Sequence, residues 1–217
     1  MNDDQLQTIS PIDGRYIEKT KHLREYFSES ALMRYRVLTE IKWLVFLSEN
    51  DDLKQIPKLS NELKKQLDDI IGNFSIDDAK SIKTIEKETN HDVKAVEYFL
   101  QEKLSHLSGG KDLIPFIHFA CTSEDINNIS YAIMLKDACD SQYRELNLLQ
   151  DKLRDYSHQW ADDAMISRTH GQAASPTTMG KEFANFASRF DQQIKTLEGL
   201  EYRAKMNGAV GNFNAHQ

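Results

Sequence analysis

The sequence predicts an all-α fold, in which a small N-terminal helical domain is followed by the long antiparallel helices of a central helical bundle. The 217 residues contain only 9 Gly and 4 Pro. Apolar residues recur at steps of three and four in nearly every stretch, and no clear run alternates between apolar and polar residues as a half-buried strand would. The predicted domains cover residues 1–110 and 111–217, the second being the first part of the bundle.

The first half of the chain predicts four helices. One begins near Ser30, carries a broad apolar face and ends at Asn50. Two shorter helices follow, each preceded by a serine that can accept a hydrogen bond from the first helical turn. After a polar interruption, apolar periodicity resumes in a fourth. The residues that mark these helices are Leu38, Ile41, Val45, Ser60, Ser75, Val93 and Leu104.

Paired glycines separate this region from two longer helices. Gly109-Gly110 is the best candidate for a linker, since two glycines give the backbone its greatest freedom. Thr122-x-x-Asp125 is similar to a capping box and begins a pattern that continues to Trp160, on the order of 50 Å at about 1.5 Å per residue. A second long helix is predicted to begin at Ser175-Pro176, with the serine as its cap and the proline in its first position.

Composition argues against several classes of protein. The net charge of −7 and the pI near 5.5 disfavour a nucleic-acid partner, because binding to a phosphate backbone needs a basic surface. No apolar run approaches the roughly 18 residues of a membrane-spanning helix, and the polar start does not match a secretory leader. We therefore expect no membrane association and a cytoplasmic location. Cys121 and Cys139 belong to no Cys-x-x-Cys pair or histidine cluster, so we expect reduced thiols and no metal site.

Four connections between the predicted helices are dense in residues that bind anions or transfer protons. They are Ser10–Tyr16, Thr89–Asp92, Cys121–Asn128 and Ser167–Gln172. Helix ends offer N–H groups and a macrodipole that favour negative ligands. An arginine for bidentate contact, hydroxyl groups at a helix start and a histidine to carry a proton complete a set suited to an anion. The residues by themselves name neither the anion nor the reaction.

Each segment also has a purely structural explanation. Asp13-Gly14 is a common turn, beside which Arg15 would be a solvated charge. Residues 90–92 fit a helix end followed by an aspartate cap, with His91 on the surface. The remaining segments fit an N-cap and an ordinary loop. The other histidines show no partner in the sequence and are assigned to the structure or the surface: His22, His106, His118, His158 and His216.

The same four segments resemble the bacterial adenylosuccinate lyases of the fumarase/aspartase superfamily. The resemblance runs along the whole chain through ordered motifs that include Lys83–Glu86, Asn90–Leu100, Phe116–Phe119 and Gly208–Asn212. It implies a β-elimination in purine nucleotide synthesis that needs no metal or organic cofactor. Adenylosuccinate would be cleaved to AMP and fumarate, and succinylated aminoimidazole carboxamide ribotide to the free carboxamide ribotide and fumarate.

The resemblance also implies roles for particular residues. His170 would be the general acid. His91, the second catalytic histidine, would hold or orient the substrate, and its part in proton transfer stays open. Arg15 and Tyr16 would meet the nucleotide phosphate. Four further residues would bind the substrate, two of them beside His91 and two through the succinyl carboxylate: Asn90, Asp92, Thr122 and Ser123.

One departure from the family pattern affects the expected activity. The family's catalytic serine lies in a mobile Gly-Ser-Ser-x-Met-Pro-type loop, and these 217 residues contain no such segment. We therefore expect a truncated chain that lacks the base, the rest of the bundle and the C-terminal domain, and that has little activity alone. The full-length form would be a homotetramer whose active sites draw on several subunits.

Two other readings of the sequence stay open at this point. One is another lyase of the superfamily, such as argininosuccinate lyase, fumarase or aspartase; Asp13–Tyr16 and Arg168–Gln172 favour the purine enzyme over these. The other is a non-catalytic helical oligomerisation module, in which the polar loop residues only cap helices. If the chain is such a module, a substitution of His170 would change neither ligand binding nor turnover.

Overall fold

A computed structural model describes residues 6–216 and shows a helical protein with one small two-stranded sheet. The predicted all-α class is confirmed. The described residues form two compact units, one made of residues up to 135 together with those from 203 onward, the other of residues 136–202. The boundary predicted after residue 110 concerns the domains of the fold rather than these two compact units, and it stays a prediction. No helix in the described range is both long and apolar enough to cross a bilayer.

The first unit holds most of the helices. Two 3-10 helices, Lys21–Leu23 and Lys111–Phe116, accompany its α-helices. These α-helices are α1 (Ile17–Thr20), α2 (Arg24–Phe27), α3 (Glu29–Glu49), α4 (Asn61–Gly72), α5 (Ile76–Thr89), α6 (Asp92–Ser105) and the first part of α7 (Ser123–Gln159).

Serine caps fix the starts of α4 and α5, as the sequence predicts. Ser60 Oγ accepts a hydrogen bond from the Leu63 backbone N–H at 3.1 Å. Ser75 and Asp78 form a complete capping box, since each side chain accepts from the other residue's backbone N–H. Such a cap typically contributes about 1 kcal/mol to helix stability.

The core of the first unit lies between α3, α4, α5 and α6. Its side chains are almost fully buried, and each contributes about 1.5–3 kcal/mol relative to an exposed position. Replacing the central Phe99 by alanine is expected to cost about 3–5 kcal/mol, because the site cannot fully collapse. The largest members of this core are Ile41, Leu67, Ile82, Phe99, Leu100, Leu104 and Leu113.

In the second unit, the later part of α7 runs antiparallel to α8 (Met179–Glu198). Tyr143 Oη donates to the Ile194 carbonyl at 2.9 Å, and Gln150 Nε2 donates to the Ala187 carbonyl at 3.0 Å. Moving forward along α7 therefore means moving backward along α8, which confirms the predicted long antiparallel helices. At about 1.5 Å per residue, α7 is about 55 Å long.

The predicted start of the second long helix at Ser175-Pro176 is wrong. These residues lie in β2 (Gln172–Thr178), which pairs antiparallel with β1 (Ala164–Thr169) in a hairpin that the sequence analysis did not predict. A two-stranded sheet has only edge strands, where the missing N–H of proline is tolerated. The helix begins at Met179 instead, and Thr178 is its cap through a 3.1 Å bond from the Lys181 N–H.

Candidate active site

Three buried polar side chains lie along one face of α3. Arg36, Thr39 and Glu40 follow the i, i+3, i+4 spacing of neighbours on a helix surface, and their exposed fractions are 6, 4 and 1%. Burying a charged group costs several kcal/mol unless it is paired. Each of the three has a partner outside α3. We refer to these three residues as the α3 polar face.

Arg36 joins two of the four segments that the sequence singles out. Its Nη2 lies 2.5 Å from Asp92 Oδ2, and its Nε donates to Asn127 Oδ1 at 2.9 Å. Burial by itself would raise the pKa of Asp92, but the Arg36 guanidinium and the Val93 backbone N–H outweigh it and hold that pKa below its usual value. The start of α6 and the first two turns of α7 are therefore linked through one guanidinium.

The segment Thr89–Asp92 turns the chain from α5 into α6. Asn90 ends α5 in the left-handed conformation with φ of 50°, which asparagine tolerates better than most residues. His91, not Asp92, caps α6: its Nδ1 accepts a hydrogen bond from the Lys94 backbone N–H at 3.2 Å. The neutral ring therefore carries its proton on Nε2. The His91 side chain is half-exposed.

Glu40 holds the chain just before α7. Its two carboxylate oxygens contact His118 Nδ1 at 2.6 Å and accept from the His118 backbone N–H at 3.1 Å. Burial raises the pKa of Glu40, although the hydrogen bond and the charge of His118 act to lower it. Burial would lower the pKa of His118, but the bond to Glu40 and its charge raise it. The assignment of His118 to a structural role agrees with these contacts, and the partner that its sequence context does not show lies 78 residues earlier in the chain.

The first turn of α7 is tied to the segment near the end of the described chain. The buried Asp125 carboxylate accepts from the Thr122 backbone N–H at 3.0 Å, which is one half of the predicted capping box. It also accepts from Lys205 Nζ at 2.9 Å and from the Asn207 and Gly208 backbone N–H groups at 3.2 Å. Burial would raise the pKa of Asp125, but Lys205 and the backbone N–H groups of Thr122 and Asn207 outweigh it and lower that pKa. Ser123, beside this anchor, begins the helix.

Arg15 and Tyr16 lie on the surface of the first unit. The Arg15 guanidinium carbon is 5.5 Å from the centre of the Tyr16 ring, and the Tyr16 backbone N–H donates to the Pro11 carbonyl at 2.9 Å. Among the described residues, neither side chain has a hydrogen bond or ion pair to the other predicted segments. The structure leaves this pair accessible and does not tie it to the rest of the first unit's site.

His170 stands at the tip of the hairpin in the second unit. His170 and Gly171 have φ of 51° and 75°, the pattern of a two-residue type I′ turn that matches the twist of the strands. The register places Thr169 opposite Gln172, directly behind the turn. The His170 side chain is exposed. The sequence signal for this hairpin was the dipeptide His-Gly, since glycine at the second turn position is typical of such turns.

The α3 polar face is the part of the site that sequence reasoning missed. Arg36, Thr39 and Glu40 lie among the apolar residues that form the buried face of α3, and these polar residues within an apolar face were the available signal. Within the range that the structure describes, no group of three or more His, Cys, Asp or Glu side chains is arranged to hold a metal ion.

A family model described as Lyase matches residues 14–217. The chain belongs to this lyase family. It is 50% identical over 212 residues to a protein named adenylosuccinate lyase from Legionella pneumophila, an alignment that covers 97% of this chain and 46% of that one. The adenylosuccinate lyase of Escherichia coli is 48% identical over 215 residues, with the same two coverages. The chain thus spans about half the length of these curated relatives.

Solved structures agree with the lyase fold. The crystal structure of a fumarate lyase from a Mesorhizobium species matches with a TM-score of 0.70 at 19% identity, covering 90% of this chain and 44% of that one. A β-carboxy-cis,cis-muconate cycloisomerase from Acinetobacter calcoaceticus matches with a TM-score of 0.66 at 20% identity, covering 91% and 45%. At 19–20% identity, the similarity of this chain to the two solved structures supports the fold alone.

Proposed function

We propose that this lyase-family chain supplies part of the active site of an enzyme that cleaves adenylosuccinate to AMP and fumarate. The same enzyme would release fumarate from succinylated aminoimidazole carboxamide ribotide. The observation that carries the proposal is the 48–50% identity, over almost the whole chain, to proteins named adenylosuccinate lyase. No metal or organic cofactor enters the proposed reaction, which is a β-elimination.

The elimination needs one group to take a Cβ proton and another to protonate the departing nitrogen. We assign the second task to His170. A side chain at the tip of a two-residue turn is accessible to a ligand that other parts of the enzyme bind. Among the described residues it has no hydrogen-bond partner that would compete with a ligand. The two-residue turn places the ring on a short stretch of backbone between paired strands.

His91 is assigned to the substrate as a hydrogen-bond donor. Its Nδ1 is occupied as the cap of α6, so in the neutral ring only the Nε2–H is available to a ligand. This supports an orienting role, and it makes His91 unsuited to abstract a proton while it caps the helix. Asn90 and Asp92 flank His91, and the Arg36 guanidinium holds one oxygen of the Asp92 carboxylate.

Thr122 and Ser123 are assigned to the succinyl carboxylate. They stand at the N-terminus of α7, where the helix macrodipole favours an anion by about 0.3–1 kcal/mol. In the described part of the chain, the backbone N–H groups of Ser123 and Glu124 have no hydrogen-bond partner. The first N–H groups of a helix commonly lack one, because no preceding helical carbonyl faces them. Hydroxyl and N–H donors therefore converge at one helix end. Arg15, with its exposed guanidinium beside Tyr16, is assigned to the nucleotide phosphate.

Assembly into a homotetramer is part of the proposal. The long helices of the second unit expose large apolar side chains, with Leu148 at 64% and Phe186 at 60% exposure. Contact with partner helices would remove this surface from water. The proposed base belongs to a Gly-Ser-Ser-x-Met-Pro-type loop that these 217 residues do not contain. We therefore propose that the chain on its own turns over little substrate.

The test uses a chimera in which this chain replaces the matching part of the Legionella relative. Adenylosuccinate, argininosuccinate and fumarate are offered in separate assays to the chimera and to the 217-residue chain alone. The proposal predicts equal amounts of AMP and fumarate from adenylosuccinate with the chimera only. Preferential cleavage of argininosuccinate, or preferential hydration of fumarate, would contradict the assignment. Turnover by the chain alone would show that the base lies within it.

A further inference from the structure

Arg36 occupies a position where stability alone does not require an arginine. Its side chain is buried on α3, in contact with Asp92 and Asn127. Its partner Asp92 is half-exposed, and the cost of removing the Arg36 charge from water offsets much of the attraction between the two groups. What the guanidinium adds is geometry: a planar fork whose N–H groups point in fixed directions.

That geometry connects two separate elements. Nη2 reaches Asp92, the first residue of α6, while Nε reaches Asn127 in the first turns of α7. His91 directly precedes the first contact, and Ser123 lies one helical turn before the second. A lysine has a single ammonium group, so it can pair with Asp92 but cannot hold both partners in a fixed plane.

We propose that Arg36 is a positioning residue for the lyase reaction, holding the His91 cap and the Thr122-Ser123 helix start at a fixed separation so that both meet the succinyl part of one substrate. The inference rests on the proposed function, because that function assigns both segments to the substrate. The hydrogen bonds of Arg36 go to Asp92 and Asn127 rather than to the substrate-binding residues His91, Thr122 and Ser123. Arg36 acts through Asp92 and Asn127.

The kinetic test compares Arg36→Lys with Arg34→Lys in the chimera. Arg34 is the matched control: it lies on the same helix, and its Nη2 donates to the Glu25 carbonyl at 3.0 Å. A displacement of about 1 Å in a reacting group costs about 100-fold in rate. We expect Arg36→Lys to raise KM and to lower kcat/KM by about that factor, and Arg34→Lys to stay within about twofold. The melting temperature of both variants should remain within about 5 °C of the parent.

A double-mutant cycle separates positioning from a general structural role. If Arg36 acts through Asn127, then Asn127→Ala lowers kcat/KM in the parent but adds nothing in the Arg36→Lys background. Additive losses in the folded double variant would overturn the proposal. So would an unchanged kcat/KM in Arg36→Lys.

A second measurement keeps the inference independent of the substrate assignment. Hydrogen exchange is followed in the 217-residue chain and in the chimera for peptides covering residues 91–94 and 122–127. The proposal expects exchange in both peptides to be about tenfold faster in Arg36→Lys than in Arg34→Lys, which corresponds to a factor of ten in the local opening constant. Equal exchange in the two variants would overturn it. If the parent chimera fails to cleave adenylosuccinate, the proposed function falls, and this exchange result still decides whether Arg36 links the two segments.

Discussion

Two histidines with the same unusual backbone conformation stand in opposite environments. His118 and His170 have φ of 60° and 51°, in the left-handed region. His118 is largely buried and bound at both its ring and its backbone by Glu40. His170 is exposed at a hairpin tip. The difference shows that a histidine in a loop motif does not by itself identify a proton donor, since one of these rings is held by a carboxylate of the core and the other is open to a ligand.

The two positions are also strained for different reasons. At His118 the left-handed conformation lies in a segment that a buried carboxylate on α3 binds. At His170 it is imposed locally by the two-residue turn between paired strands. A change at the first site should therefore spread through the core, whereas a change at the second should remain local.

Glu40→Ala is expected to lower the free energy of unfolding by about 3–5 kcal/mol, because it leaves the partly buried His118 without its partner and opens a cavity beside it. His170→Ala is the matched change at the exposed site and should alter stability by less than about 0.5 kcal/mol. Denaturant unfolding of the two variants beside the parent measures both values. Equal losses would contradict the contrast.

The Glu40–His118 pair should make stability depend on pH. Both pKa values are raised in the folded protein, so the folded state holds these protons more tightly than the unfolded chain. The stabilisation from His118 is complete below its usual value of 6.5 and is lost as the pH rises through the raised pKa.

We therefore expect the free energy of unfolding to fall as the pH rises above about 6.5 and through the raised pKa of His118. His118→Gln should remove this decline, and His170→Gln should retain it. Denaturant midpoints collected across that range provide the measurement. A decline that persists in His118→Gln would assign it to another group.

Gly171→Ala tests the local strain at the hairpin tip. A Cβ at this position would meet no atom within 4 Å, so the expected loss comes from the φ of 75° alone. An L-residue in this region costs about 1 kcal/mol. Thermal unfolding should show this loss, whereas Gly72→Ala, at another glycine where a Cβ meets nothing within 4 Å, provides the control. A stability gain in Gly171→Ala would refute the turn assignment.

The smallest expected effect is at His170 itself. Asparagine is the residue most favoured beside glycine in a type I′ turn. His170→Asn should therefore stabilise the hairpin by a few tenths of a kcal/mol, about the size of a propensity change on the surface. Differential scanning calorimetry of the pair His170→Asn and His170→Ala measures it, and asparagine should melt above alanine.

The sequence predicts most of those features of the fold that depend on residues close together in the chain, and it misses those that depend on distant residues. The caps at Ser60 and Ser75 and the long course of α7 follow from residues close together in the chain, and they are confirmed. The hairpin was missed because its strands are short and exposed, without the apolar alternation that a half-buried strand shows.

The α3 polar face depends on contacts across the chain. Arg36 meets Asn127 91 positions later, and Glu40 meets His118 78 positions later. Periodicity assigns such residues to a helix but cannot choose their partners. The roles of His91 and His170 come from the family resemblance and stay predictions, because each depends on a ligand as well as on the chain.

The central claim is that His170, and not the buried His118, carries the proton to the leaving group. It is tested most directly by measuring kcat for adenylosuccinate cleavage in the chimera with His170→Ala, alongside unfolding of the same variant. General acid catalysis contributes about 10²–10⁴-fold, so we expect a loss of that size with the free energy of unfolding unchanged. Turnover within about twofold of the parent would contradict the account and remove His170 from the reaction.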